Sequence, residues 1–150
     1  MEYGNIVWYP YLKRQSAAIE KVQRRATKLL FNICNLSYEE RLRHLKLPTL
    51  KHRRMRGDLI QTYKIFNNID DIDPGRLFEL SPSTATRSTG DKIFIQYSRT
   101  NRRKFVFSNR VAPIWNALSS NIKSSTNINA FKNRLDQDKN FTNSLYDFDD

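Results

Sequence analysis

The sequence contains little of what catalytic and metal sites require. Its 150 residues include one cysteine, four glycines and two histidines. The single Cys34 excludes an internal disulfide framework and a zinc site with several thiolates. The glycines form neither a dinucleotide-binding nor a phosphate-binding loop, and His44 and His52 lack the spacing of a helical metal site. We therefore predict no catalytic residue, no bound metal and no cofactor in this chain.

Paired aspartates are also scarce, although such pairs hold magnesium in polymerases and nucleases. Asp70–Asp71 is followed by Pro74–Gly75, so a turn explains this pair better than a metal site. Asp149–Asp150 ends the chain, where no following strand would fix two carboxylates. Neither pair is predicted to be catalytic.

Long apolar runs are absent as well. No run approaches the roughly 20 residues that cross a membrane, and residues 1–10 lack the basic start of a secretory signal. We therefore predict no membrane partner and an intracellular protein, in the nucleus or the cytoplasm, that is not secreted.

Positive charge is abundant. Lys and Arg number 26 against 15 Asp and Glu, which gives a net charge of +11. Residues 1–135 carry +15, whereas residues 136–150 carry −4. A basic body of this kind indicates a polyanionic partner, most often nucleic acid. The alternative is a charge that only keeps the chain soluble.

Hydrophobic periodicity predicts helices over residues 13–33, 37–45, 50–67, 109–120 and 127–138, with one helical turn at 76–80. Ser37 and Glu40 match a capping box, and Thr49 and Thr126 are predicted N-caps. The first helix is strongly two-sided, with a basic stripe opposite an apolar stripe. The apolar stripe consists of Ile19, Val22, Ala26, Leu29, Leu30 and Ile33.

Residues 92–97 and 104–107 are predicted to be short strands of a β-hairpin, with an extended loop as the alternative. The predicted fold is therefore mainly helical, a small bundle with a short β-hairpin and a disordered C-terminal tail. We divide the chain into an apolar start at 1–11, a basic helical region at 12–80, a flexible loop at 81–91, a hairpin with two helices at 92–139, and an acidic tail at 140–150.

The predicted binding residues fall into three basic groups. Arginine dominates, as suits phosphate recognition by a planar donor, and no pattern for reading bases is evident. A solvated helix face is the alternative for each group. The groups are Lys21, Arg24, Arg25 and Lys28; Arg53, Arg54 and Arg56; and Arg99, Arg102, Arg103 and Lys104. Aromatic residues beside the third group, such as Phe94, Tyr97, Phe105 and Phe107, could stack on bases, although packing in the core explains most of them.

Several segments in order resemble the part that follows the polymerase core in reverse transcriptases of non-LTR retrotransposons of the jockey and chicken-repeat type. They are E-K-V-Q-R-R-A at 20–26, L-S-Y-E-E-R-L at 36–42, R-R-x-R-G-D at 53–58, S-N-R-V-x-x-x-W-N-x-L at 108–118 and F-K-N-R-L at 131–135. The resemblance covers about residues 3–136 and implies the end of a thumb followed by a C-terminal extension.

In that family the catalytic palm and the endonuclease would lie upstream of Met1, so the resemblance implies a non-catalytic fragment. Its implied partners are RNA or an RNA–DNA hybrid, bound through phosphates, and the missing upstream polymerase core. Three alternatives stay open: a protein-interaction module that uses the aromatic Tyr3, Trp8 and Tyr11, an enzyme in its own right, and a pseudogene product without a function.

Overall fold

The fold is helical, as the sequence predicts. The computed structural model describes residue 4, residues 6–81 and residues 92–146, and this part of the chain contains eight α helices, two 3-10 turns and no strand. None of these helices is long and apolar enough to cross a membrane. The helices are α1 (Lys13–Lys28), α2 (Tyr38–Leu45), α3 (Leu50–Phe66), α4 (Asn101–Lys104), α5 (Phe107–Ala117), α6 (Ser120–Lys123), α7 (Ile128–Gln137) and α8 (Lys139–Thr142), and the 3-10 turns are Phe31–Ile33 and Pro74–Arg76.

One hydrophobic core lies around α3, which packs against both α5 and α7. Tyr63 of α3 stacks on Phe131 of α7 with ring centroids 4.4 Å apart, and its hydroxyl donates to the carbonyl oxygen of Ser125 at 2.6 Å. Phe66 stacks on Trp115 of α5 at 5.4 Å. The segments before and after residue 81 therefore share a single core.

Two predicted helix starts are confirmed at atomic detail. Ser37 Oγ accepts from the backbone N–H of Glu40, and Glu40 Oε2 accepts from the backbone N–H of Ser37, which completes the capping box. These hydrogen bonds hold the pKa of Glu40 below its usual range. Thr49 Oγ1 accepts from the backbone N–H of His52 at the start of α3.

Helix α1 differs from its prediction in length and in orientation. It ends at Lys28, and Phe31–Ile33 forms a separate 3-10 turn. The residues that α1 buries are Gln23 and Thr27, whereas the predicted core residues Val22, Leu29 and Leu30 are 49%, 85% and 46% exposed. Of the predicted stripe only Ile33, in the 3-10 turn, is fully buried. Apart from the half-buried Ile19 and the buried Ile33, the predicted apolar stripe therefore faces solvent.

The predicted β-hairpin is wrong. Ile93 makes an isolated antiparallel bridge with Leu80 and no strand follows it in the described residues. Lys104 is the last residue of α4, and Phe107 begins α5. Thr100 Oγ1 accepts from the backbone N–H of Arg103 and caps α4, so this segment turns into a helix where the prediction placed the return strand.

The C-terminal part is also more ordered than predicted. Asn127, one residue after the predicted Thr126, caps α7 through its side chain. Residues 139–142 form α8, whose Phe141 is only 6% exposed. The backbone N–H of Thr49 donates to the carbonyl oxygen of Leu145 at 3.1 Å. Residues 147–150, and most of the predicted flexible loop, lie outside the described residues.

Candidate nucleic-acid interface

Helix α1 carries the first predicted basic group on its solvent side. We call Lys21, Arg24, Arg25 and Lys28 the α1 basic face, and all four side chains are exposed. At about 100° per residue these four positions lie between about 80° and 180° around the helix from the midpoint of the buried Gln23 and Thr27. The basic side chains therefore point away from the body of the protein.

Polar contacts hold α1 in this orientation. Gln23 Nε2 donates to the carbonyl oxygen of Pro48 at 3.1 Å, and Thr27 Oγ1 accepts from Arg41 Nε at 3.3 Å. Glu20 Oε2 accepts from the backbone N–H of Leu50, the first residue of α3. A carboxylate is favourable at a helix N-terminus, so Glu20 ties α1 to the start of α3.

Tyr38 connects this anchor to the basic face. Its hydroxyl donates to Glu20 Oε1, and burial, together with this bond, raises the pKa of Tyr38 above its usual value. Tyr38 therefore stays protonated and remains a donor. The guanidinium of Arg24 lies 4.8 Å from the centroid of the Tyr38 ring. Because a guanidinium stacks through its face, its in-plane N–H groups stay available to an anion.

A second exposed basic group surrounds α4. We call Arg99, Arg102, Arg103 and Lys104 the α4 basic cluster, and all four side chains are exposed. Asn109 of α5 fixes the backbone beneath it, because Nδ2 of Asn109 donates to the carbonyl oxygen of Arg103 at 2.8 Å and to Ser98 Oγ at 3.0 Å.

The predicted group of Arg53, Arg54 and Arg56 does not form an exposed stripe on α3. Arg54 is 1% exposed; its Nη2 donates to Ser16 Oγ at 3.3 Å, and its guanidinium lies 5.9 Å from the ring of Tyr9. Arg56 donates two hydrogen bonds of 2.7 Å to the carboxylate of Asp136, and this pair raises the pKa of Arg56. Arg53 is half-buried. These three arginines are therefore not part of the candidate interface.

The N-terminal segment joins the two exposed groups. Tyr9 and Tyr11 stack on Phe105, directly after α4, with ring centroids 6.2 and 6.0 Å apart. Helix α1 begins two residues after Tyr11, so its first turn lies beside α4. The exposed Lys13 and Arg14 in that turn were missed by the sequence prediction. Helical spacing places both on the basic side of α1 and could have indicated them.

This packing changes the predicted aromatic patch. Tyr11 is half-buried by its contact with Phe105, whereas Trp8 is 54% exposed. Tyr3 lies outside the described residues. Of the two members of this patch that the structure describes, Trp8 is therefore the exposed one.

Acidic and histidine side chains have structural partners. Asp70 accepts from the amide of Gln61 and lies 3.6 Å from Lys64 Nζ, and Asp73 Oδ1 accepts from the backbone N–H of Gly75. His52 is buried and bonds Ser144. In residues 6–81 and 92–146, no group of three His, Cys, Asp or Glu side chains is placed to hold a metal ion. Asp149–Asp150 lies outside those ranges.

Comparisons of the chain with protein-family models, with curated proteins and with solved structures found no match. The resemblance to non-LTR reverse transcriptases therefore stays a prediction from the sequence. A functional proposal for this chain depends on the position, exposure and charge of its basic and aromatic side chains.

Proposed function

We propose that this chain binds RNA or an RNA–DNA hybrid through backbone phosphates, as a non-catalytic part of a retrotransposon reverse transcriptase. The observation that supports it is the exposure of eight basic side chains in two groups, the α1 basic face and the α4 basic cluster. The stacking of Tyr11, two residues before α1, on Phe105, the residue after α4, places the start of α1 near the end of α4.

Phosphate contact is the mode that fits these side chains best. Five of the eight are arginines, whose planar guanidinium binds phosphate through two parallel hydrogen bonds. A helix of 16 residues is about 24 Å long, so α1 spans several phosphates of a bound strand. Contacts of this kind hold a nucleic acid in place without reading its sequence.

The experiment compares two variants in which the net charge falls by the same amount. In the first, Lys21, Arg24, Arg25 and Lys28 are replaced by glutamine. In the control, glutamine replaces four exposed basic residues outside both groups. These control residues are Arg43, Lys46, Arg76 and Lys139. Fluorescence anisotropy with a labelled RNA–DNA hybrid at about 50 mM salt measures the affinity of each variant.

We expect the first variant to bind at least about tenfold more weakly than the unmodified chain, because a phosphate that is no longer neutralised by a basic side chain keeps its counterions. The control should lose less than about threefold, since only the long-range field has changed. Equal losses in both variants would show that net charge alone attracts the hybrid and would contradict the proposed interface.

A second candidate function, the binding of another protein, is favoured by the exposed apolar stripe of α1. We call Val22, Ala26, Leu29 and Leu30 the α1 apolar face, and all four are exposed. Helix α1 has six basic residues and one acidic residue. A second copy of this helix would bring like charges together, so the occupant that fits is a partner helix whose apolar stripe is flanked by acidic residues.

This candidate is tested with a synthetic amphipathic peptide that has a leucine stripe flanked by glutamates. The unmodified chain should bind it, Leu29→Gln should weaken binding by about tenfold, and a peptide with lysine in place of glutamate should not bind. Sedimentation of the chain alone should show a monomer. Self-association, or equal binding of both peptides, would contradict the acidic partner.

A further inference from the structure

Tyr97 is an aromatic residue that the fold presents to solvent. Its side chain is 91% exposed, whereas the tyrosines and phenylalanines of the core are at most 6% exposed. Among the described large hydrophobic residues, only Val7 and Phe31 are as exposed. Tyr97 also lies two residues before the first arginine of the α4 basic cluster.

The side chains on both sides of Tyr97 are hydrogen-bonded to α4 and α5. Before it, Gln96 Oε1 accepts from Arg103 Nη2 at 3.3 Å. After it, Ser98 Oγ accepts from Asn109 Nδ2 at 3.0 Å. These bonds restrain the two neighbours of Tyr97, and an aromatic residue in a restrained segment loses less conformational entropy when it binds a ligand.

The start of the same segment is anchored to α5. The side-chain amide of Asn116 accepts from the backbone N–H of Ile93 at 2.9 Å and donates to its carbonyl oxygen at 2.8 Å. The backbone N–H of Phe94 donates to the carbonyl oxygen of Glu79 at 2.7 Å. Residues 94–97, which follow this anchor, are all exposed.

Charge is distributed unevenly around this ring. The α4 basic cluster follows Tyr97 in the sequence, and the carboxylate of Glu79 lies beside the preceding residue, 3.5 Å from Gln96 Nε2. A phosphate backbone would be attracted toward the arginines and repelled by Glu79. A polyanionic chain that crosses Tyr97 would therefore run toward α4.

We propose that Tyr97 is a stacking site for a base of single-stranded nucleic acid, whose neighbouring phosphates bind the α4 basic cluster. This inference rests on the proposed function and narrows its ligand from RNA or an RNA–DNA hybrid to a single strand. In a duplex the faces of the bases are covered by their neighbours, whereas a single strand offers a free face to an aromatic ring. Stacking of this kind tolerates any base, so we expect this site to bind without a strong sequence preference.

The test uses three labelled probes of equal length: oligouridylate, an abasic strand with the same phosphates, and an RNA–DNA duplex. The variants are Tyr97→Ala, Tyr97→Phe and, as a matched control, Phe31→Ala. Phe31 is also 91% exposed and lies outside the α4 region. Anisotropy at low salt gives the affinities, and circular dichroism checks that each variant is folded.

We expect Tyr97→Ala to weaken oligouridylate binding by roughly 5- to 100-fold, the range typical of removing one base–aromatic stack. Tyr97→Phe should retain most of the affinity because it keeps the ring, and Phe31→Ala should change it by less than about twofold. Binding of the abasic strand and of the duplex should be the same in Tyr97→Ala and in the unmodified chain.

The outcomes separate this inference from the proposed function. If the unmodified chain binds every probe and Tyr97→Ala has no effect on oligouridylate, phosphate binding stands and the stacking site is excluded. An equal loss of affinity for the abasic strand would also exclude it, because no base is present there. If the unmodified chain binds none of the probes, the proposed function and the stacking site are both wrong.

Discussion

Arg110 of α5 donates two hydrogen bonds to the carboxylate of Asp58 on α3, from Nε at 2.8 Å and from Nη2 at 2.9 Å. Both side chains are almost fully buried. Arg110 also donates to the carbonyl oxygens of Ile6 and Phe105, and its guanidinium lies 4.6 Å from the ring of Tyr9. One side chain thus joins the N-terminal segment, the end of α4 and the central helix.

Loss of Arg110 should destabilise the fold strongly. Burial raises the pKa of Asp58, and the bonds to Arg110 limit that rise. Arg110→Ala would leave a buried carboxylate without this partner, so we expect the free energy of unfolding in urea to fall by about 3–5 kcal/mol.

Two further variants test the cause of that loss. The double variant Asp58→Leu with Arg110→Met should lose less stability than Arg110→Ala, because the buried carboxylate is removed together with the arginine that pairs with it. Arg43→Ala, which breaks an exposed ion pair with Glu39, should cost less than about 1 kcal/mol. A double variant as unstable as Arg110→Ala would contradict the explanation.

The starts of α2 and α3 were predictable because their caps depend on neighbours in sequence. Ser37 and Glu40 form their capping box within one turn, and Thr49 caps α3 in the same way. The strand predicted at 104–107 was wrong because four residues are too few to separate strand from helix by periodicity. Thr100 before a basic segment was a helix start signal that the prediction overlooked.

The buried face of α1 could not be predicted from hydrophobicity. Gln23 and Thr27 are buried because Pro48 and Arg41, distant in sequence, supply their hydrogen-bonding partners. Arg54 is buried for a similar reason. The helical pattern of α3 predicts that it is exposed, but Ser16 and Tyr9, from a distant part of the sequence, contact it. A periodic pattern gives the faces of a helix, but the rest of the fold decides which face is covered.

The orientation of α1 is tested by two leucines. Leu42 of α2 is fully buried, and Leu42→Ala should lower the free energy of unfolding by about 2–5 kcal/mol. Leu29, at the end of α1, is 85% exposed, and Leu29→Ala should change the free energy of unfolding by no more than about 0.5 kcal/mol. If Leu29→Ala lowered the free energy of unfolding as much as Leu42→Ala, Leu29 would have to be buried. That result would contradict the orientation of α1 described above.

His52 should make stability depend on pH. Its Nδ1 donates to Ser144 Oγ at 3.0 Å, because the hydroxyl hydrogen of Ser144 is donated to the carbonyl oxygen of Phe141. Burial lowers the pKa of His52; Arg56 lowers it further, and Asp136 opposes the shift. The His52 imidazole therefore binds a proton more readily in the unfolded chain than in the folded one. The contribution of neutral His52 to the free energy of unfolding is fully present above about pH 6.5 and decreases as the pH falls below that value.

Urea unfolding at about pH 7 and about pH 5 measures this effect. His52→Gln should lose less stability than the unmodified chain over that interval, because glutamine does not titrate. His44→Gln, at an exposed position, should behave like the unmodified chain. Parallel pH profiles for the unmodified chain and His52→Gln would show that His52 is not the group responsible.

The most direct test of phosphate binding is the salt dependence of affinity for duplex DNA. If about five phosphates are bound, the logarithm of the association constant should fall against the logarithm of salt concentration with a slope near −4.5. Replacing the α1 basic face by glutamine should make that slope shallower by about 0.9 for each phosphate that is no longer bound. A slope near zero, or no detectable binding at low salt, would contradict phosphate binding by this chain.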